Sequence, residues 1–397
     1  MCEYRQHFSV KNDHGQSMEP PYSDRAQHRD LQVSVREGWV RGASHSHSAS
    51  MQARSTKVKA RSLALVLFLA SAPHVIPQLP SRPVAAVKPL VLTGAIPLPD
   101  VQGRIDHLGS DFKGRLFVSA LGNNSEEVLD LAAGTRVHVI HGIPKPQGVI
   151  YSPEANKLFV GSDEGKLYIY DGTSLDLITS IDFGDDVDNL RYDSASKRVY
   201  VGYGDDETGA IAVVDATTNQ RLPEEFKLGA HPESFQLEKS GPNLYVNLPD
   251  LKQIAVIHRN TGKISRWSLS LESNFPMALD EPHHRLFVVT HAPARLAVFA
   301  TDSGHMITAL PCAQNADDVF YDAGHQRIYV PGGEGFISVF QRKNSDDYRL
   351  LVNVPSAVGA RTAGYFGKGR KGFEVFYVAV PARADHAAEV LLYTVQD

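Results

Sequence analysis

Seven positions recur at intervals of about 42 residues and carry most of the polar chemistry of this chain: Asp106, Gln147, Asp188, Glu233, Phe275, Asp317 and Arg361. Their immediate successors are His107, Gly148, Asn189, Ser234, Pro276, Asp318 and Thr362, with Arg104, Lys145, Asp186, His231 and Asn274 close by. If the fold gathers these positions, the carboxylates of Asp106, Asp188, Glu233 and Asp317 share one ring and repel. They must then be hydrated, paired, protonated or bound to a cation. Arg361 can neutralise one or two of them. An oxygen-rich ring suits a hard cation such as Ca²⁺ or a small polar or cationic ligand. The same carboxylates, with a divalent cation or with His107 and His231 as bases, would suit a hydrolase acting on lactones. The candidate ligand-binding set is therefore Asp106, His107, Gln147, Asp188, Asn189, Glu233, Phe275, Asp317, Asp318 and Arg361, with Asp106, Asp188, Glu233 and Asp317 as candidate metal ligands.

Other catalytic signatures are missing. There is no Gly-x-Ser-x-Gly elbow and no phosphate loop, and Gly202-Tyr203-Gly204 and Gly332-Gly333-Glu334-Gly335 fall between strands as hairpin turns. No motif requires a cofactor. Cys2 and Cys312 are the only cysteines, too few for a disulfide scaffold or a zinc ribbon, and Cys312 reads as a small buried apolar residue. His283-His284 reads as an exposed turn on the rim away from the acidic ring.

What must position the ring is a repeat. Leu116-Phe117-Val118, Leu158-Phe159-Val160, Val199-Tyr200-Val201, Leu244-Tyr245-Val246, Leu286-Phe287-Val288, Ile328-Tyr329-Val330 and Phe376-Tyr377-Val378 mark seven units. Each triplet is followed by a turn and a second apolar run, such as Ala210-Ile211-Ala212-Val213-Val214-Asp215, and then by a third. Short runs rich in β-branched and aromatic residues, bounded by turn formers, predict strands. Four strands per unit of this length predict an all-β, seven-bladed propeller of four-stranded antiparallel blades. The seventh unit ends one strand short at Val390–Val395, and the run from Pro89 to Pro99 supplies the missing strand and closes the ring. The innermost strands of such a ring line a water-filled channel, which accounts for a polar rim with or without a ligand.

The repeated aromatic-Val pattern, with the following Ile-x-Val-[Val/Ile]-Asp, resembles the YVTN-repeat β-propellers, secreted bacterial proteins of seven blades. The resemblance covers about 87–397. It implies the fold and an exported location, and no particular activity. No unit carries Tyr-Val-Thr-Asn itself; Tyr245-Val246-Asn247 and Phe117-Val118-Ser119 come nearest. With two Trp and no Trp-Asp pair at the blade ends, WD-repeat proteins are disfavoured.

The amino-terminal part has a different character. Residues 1–50 are polar and without periodicity, and predict a disordered extension. From Met51 to Arg61 there are four basic and no acidic residues, then an apolar run from Leu63 to Leu69 ending in Ala70-Ser71-Ala72. That is the pattern of a signal peptide over 51–72, too short to span a bilayer, followed by a Pro-rich linker over 73–86 and the propeller over 87–397. A signal peptide belongs at a chain start, so translation is expected to begin at Met51; the alternative is a signal anchor with a cytoplasmic tail. The expected location is periplasmic or extracellular. With 42% apolar and 21% charged residues the chain has material for a large core. A net charge of -5 argues against nucleic acid as a partner. The expected role is a monomeric, non-catalytic module that binds a small polar ligand or a protein at the acidic rim, without a membrane span in the mature chain.

Overall fold

In a computed structural model, residues 88–205, 207–368 and 374–397 are described. The extension, the signal-peptide reading and the linker lie outside them. The described chain forms seven four-stranded antiparallel sheets. Their innermost strands are Leu108–Ser110, Pro146–Ser152, Val187–Asp193, Phe235–Leu237, Glu272–Asp280, Phe320–Asp322 and Ala363–Lys368. Six blades use consecutive strands. In the seventh, Leu90–Leu98 forms the outer edge, pairing with Ala388–Val395 from Leu90 opposite Val395 to Leu98 opposite Ala388. The ring is closed by its own amino-terminal strand, as the missing strand predicts. Among the described residues the only helices are two single 3₁₀ turns, Leu121–Asn123 and Glu281–His283.

The repeated triplet explains how the blades stack. Side chains alternate across a strand, so the central aromatic and its two flanking residues leave opposite faces. Phe117 packs toward the second blade with Leu158 and Val160, whereas Leu116 and Val118 pack toward the seventh with Tyr377 and Ala379. Phe159, Tyr200, Tyr245, Phe287, Tyr329 and Tyr377 each do the same one blade further round. One apolar cluster therefore fills each junction, and the junction between the last blade and the first contains Ile96 and Leu98 of the closing strand. Each buried aromatic contributes roughly 1.5–3 kcal/mol. No blade covers both of its faces alone.

Each approach to the recurring position turns through a left-handed residue: Gly103, Lys145 (after a first at Gly142), Gly184, Gly229, Ser273 just inside its strand, Asn315 and Gly359. Two to four residues later comes the recurring position. The reversal brings the chain over the end of the channel and hands a polar side chain to its mouth. Gly148 has a separate reason to be glycine, because a Cβ there would lie 2.0 Å from the Asp188 carbonyl oxygen. Its absence lets the second and third blades close together at the mouth.

Candidate functional site at the channel mouth

The first four of the anticipated carboxylates do gather, but they divide into two sectors. In the first sector, Arg104 Nη2 lies 3.2 Å from Asp106 Oδ2 and 3.5 Å from Asp317 Oδ2, and Arg361 Nε lies 2.6 Å from the same Asp317 oxygen. Arg361 also donates to Asn315 Oδ1 at 3.2 Å. Two guanidiniums thus hold two carboxylates. Backbone bonds fix the sector: Asp106 N–H donates to Ser119 O at 2.8 Å and Asp317 N–H to Arg361 O at 3.2 Å. Asp106 is fully buried, and that burial raises its pKa despite the neighbouring Arg104. The Asp106 charge in turn holds the Arg104 guanidinium firmly protonated.

The second sector is built on imidazoles. His231 Nε2 faces Asp188 Oδ2 at 3.8 Å and Glu233 Oε2 at 3.7 Å. Its Nδ1 lies 2.6 Å from the carbonyl oxygen of Gly204. A carbonyl only accepts, so Nδ1 carries the proton and Nε2 is the nitrogen turned to the carboxylates. His107 bridges the sectors, with Nε2 3.9 Å from Asp106 Oδ1 and 3.8 Å from Asp188 Oδ1, and Nδ1 3.4 Å from Asp318 Oδ1. Asn189 Nδ2 donates to Asp188 Oδ2 at 3.1 Å and to the backbone oxygen of Glu233. Asp318 accepts the Ala363 N–H at 2.8 Å.

Electrostatics follow from crowding. Burial works against charge on His107, but Asp318 and Asp106 outweigh it and carry that imidazole up to about 10. The same balance, against Asp188 and Glu233, carries His231 up to about 10. Burial and the neighbouring Asp188 push Glu233 up to about 8. For Asp188 burial is outweighed by His231, His107 and Arg104, which lower it. Burial and Asp188 raise Asp186 to about 7, although Gln147 Nε2 donates to its Oδ1 at 2.6 Å.

Other anticipated residues take supporting places. The Phe275 ring stacks on His291 at 4.4 Å, and its backbone oxygen accepts from Asn247 Nδ2 at 2.7 Å. Asn274 is buried on Asn247 and the Gln253 carbonyl. Lys145 turns to Asp163 and Glu164 at 2.7 and 3.0 Å. Cys312 is half-buried against the junction of the fifth and sixth blades, and burial pushes its thiol up to about 12. On the opposite rim His283 Nδ1 meets Asp280 at 2.9 Å.

Arg191 joins the site although it stands outside the recurring polar columns. Its neighbour Leu190 belongs to the apolar column inside the mouth, and strand alternation turns Arg191 into the channel. Arg191 Nη1 donates to Asn189 Oδ1 at 3.2 Å and to Leu190 O at 2.8 Å, and the guanidinium sits 5.4 Å over the Phe235 ring. Burial lowers its pKa. It lines a cavity of about 870 Å³ that extends from His107 and Asp318 to Glu281 and His284 at the other rim.

No family profile matches this chain, and no curated protein matches it. Solved structures do. A chain of the "Crystal Structure of Mitotic Checkpoint Complex" is similar at 13% identity and TM-score 0.62, over 84% of this chain and 99% of that one. "Structure of U3-55K" is similar at 12% identity and TM-score 0.63, over 74% of this chain and 97% of that one. "Crystal structure of RRP9 WD40 repeats" is similar at 12% identity and TM-score 0.62, over 75% of this chain and 96% of that one. The WD40 fold is shared even though the Trp-Asp marker is missing. At such identities the likeness extends to architecture alone: the chain is a seven-bladed β-propeller with WD40-like structural neighbours.

Proposed function

We propose that this chain is an exported propeller of the YVTN-repeat kind, which binds a small, polar, positively charged ligand, or a basic segment of a protein, at its acidic channel mouth. One observation carries the reading. Asp188 and Glu233 face a channel without an arginine between them, while the equivalent Asp106 and Asp317 are held by Arg104 and Arg361. That sector offers carboxylate oxygens without a guanidinium and lies beside the cavity that His107 and Asn189 line, so a cation that takes the place of the protons on His231 and Glu233 would find two oxygen partners there. A chain of the mitotic checkpoint complex shares the fold, which agrees with a recognition role but names no partner. The amino-terminal basic and apolar run supports export, and amino-terminal sequencing of natural protein tests it: a mature chain that retains residues 1–50 overturns that part.

The binding reading is tested by thermal melting of the metal-free protein with a panel of primary and quaternary amines beside matched neutral analogues. A ligand at one hundred times its dissociation constant adds about 2.7 kcal/mol of stability. The expected result is a shift with amines, lost in Asp188→Asn. A panel with no shift, or a shift unchanged in that variant, overturns the reading. A hydrolytic alternative is favoured by one observation, the placement of His231 Nε2 beside Glu233, a pair that would supply a general acid. Lactone turnover that disappears in Glu233→Gln would replace the binding module with an enzyme.

A further inference from the structure

We propose that Asp188, His231 and Glu233 form a binding site for a divalent transition-metal ion of the zinc class. The ion would be held by one imidazole nitrogen and two carboxylate oxygens, with its remaining positions open to the channel. This deepens the reading of the mouth as a cation site and rests on it. The argument is geometric. Hydrogen bonding has already used Nδ1 of His231 on the Gly204 carbonyl, at 2.6 Å, which directs Nε2 toward the two carboxylates, where an ion would take the place of the Nε2 proton. A ligating imidazole is typically oriented in this way, its other N–H given to a carbonyl or carboxylate. The carboxylate oxygens stand 3.8 and 3.7 Å from Nε2. Those separations are too long for hydrogen bonds. They exceed by only a few tenths of an ångström the roughly 3.3–3.6 Å between ligand atoms that each lie about 2.0–2.2 Å from a common ion at tetrahedral angles. The ligand atoms of the three residues lie within 4.8 Å of one another. Asn189 Nδ2 steadies the Asp188 oxygen that faces His231.

The donor set selects the ion. Ca²⁺ and Mg²⁺ prefer oxygen shells of six or more ligands, and the other two carboxylates of the ring are held by arginine. A mixed set of one nitrogen and two oxygens suits zinc or its neighbours, and three protein ligands with an open position is the pattern of an ion that receives water or a ligand.

The test uses the full chain, dialysed against EDTA and then titrated with Zn²⁺ by calorimetry, with metal analysis after gel filtration. The expected result is one zinc per chain, with affinity reduced more than about a hundredfold in His231→Gln and in Glu233→Gln. His325→Gln, in a second His-carboxylate group on the opposite rim, should leave it unchanged. Co²⁺ in the unsubstituted chain should give visible absorption of a four- or five-coordinate ion and one hyperfine-shifted, exchangeable imidazole N–H, the proton on Nδ1. That readout stands if a variant fails to fold. Protein that binds no zinc, that binds Ca²⁺ instead, or that keeps full affinity in His231→Gln overturns the proposal. An amine-induced melting shift in protein that binds no zinc would leave the binding reading standing while the metal site falls.

Discussion

Two groups of the same residue types occupy opposite faces of the ring: Asp188, His231 and Glu233 at the channel mouth, and Asp322, His325 and Glu374 at the far rim, beside the ends of the sixth and seventh innermost strands. The far group is saturated. His325 Nδ1 lies 2.8 Å from Asp322 Oδ2, the same oxygen accepts the Tyr329 hydroxyl at 3.0 Å, and Asp322 Oδ1 accepts the His325 N–H at 3.1 Å. Tyr365 donates to Glu374 at 2.8 Å, and His325 Nε2 meets Asp397 at 3.3 Å. At the mouth the shortest imidazole-carboxylate separation for His231 is 3.7 Å, against 2.8 Å at the far rim, and no hydroxyl intervenes. The comparison teaches that composition alone does not make a site. A group whose lone pairs already hold protons is a clip between strands, and one whose ligand atoms face a gap has capacity for something else.

The comparison can be broken by mutation. The largest effect is expected for Asp322→Ala, which strands Tyr329 and His325 and should cost about 2–4 kcal/mol in urea unfolding; a loss near zero would mean the far group is no clip. Gly148→Ala should come next, at about 2–3 kcal/mol, because a Cβ meets the Asp188 backbone oxygen at 2.0 Å. It should also disturb binding at the mouth while the far rim keeps its protection in amide hydrogen exchange.

A third carboxylate sharpens the point about partners. Glu126 is completely buried, receives the Ser119 hydroxyl at 2.9 Å on one oxygen, and has no partner for the other. Burial raises its pKa well above the usual 4.5. The folded chain therefore favours the protonated form, whose stabilising contribution is present at low pH and is lost as pH rises through the folded value. Glu126→Gln should leave stability nearly unchanged at pH 4.5 and raise it by about 1–3 kcal/mol at pH 8, and a gap that shrinks with rising pH would contradict this. The smallest stability change, within about 1 kcal/mol, is expected for Glu233→Gln, since burial and Asp188 already press that carboxyl toward neutrality. An unfolding cost above about 2 kcal/mol would make the mouth a structural clip like the far rim.

The architecture was legible because it is periodic. A triplet such as Leu158-Phe159-Val160 states its two faces by alternation, and the short seventh unit pointed to the strand at Leu90–Leu98 that completes it. The recurring polar positions were legible for the same reason, including His107, His231 and the four carboxylates. Their pairing was not. That Asp106 and Asp317 meet arginines while Asp188 and Glu233 meet an imidazole depends on which side chains from different blades point across the channel. Arg104 reaches Asp317, and Asn189 reaches the backbone of Glu233, across residues far apart in the chain.

Sequence by itself therefore determined the number of blades, the faces that stack and the positions that reach the mouth, since each follows from local alternation and a fixed repeat. Tertiary structure alone decided which charges cancel and which nitrogen of His231 is turned to the carboxylates. Those are matters of distances of a few ångströms between blades, where a shift of 1 Å separates a closed hydrogen bond from a gap that an ion could fill.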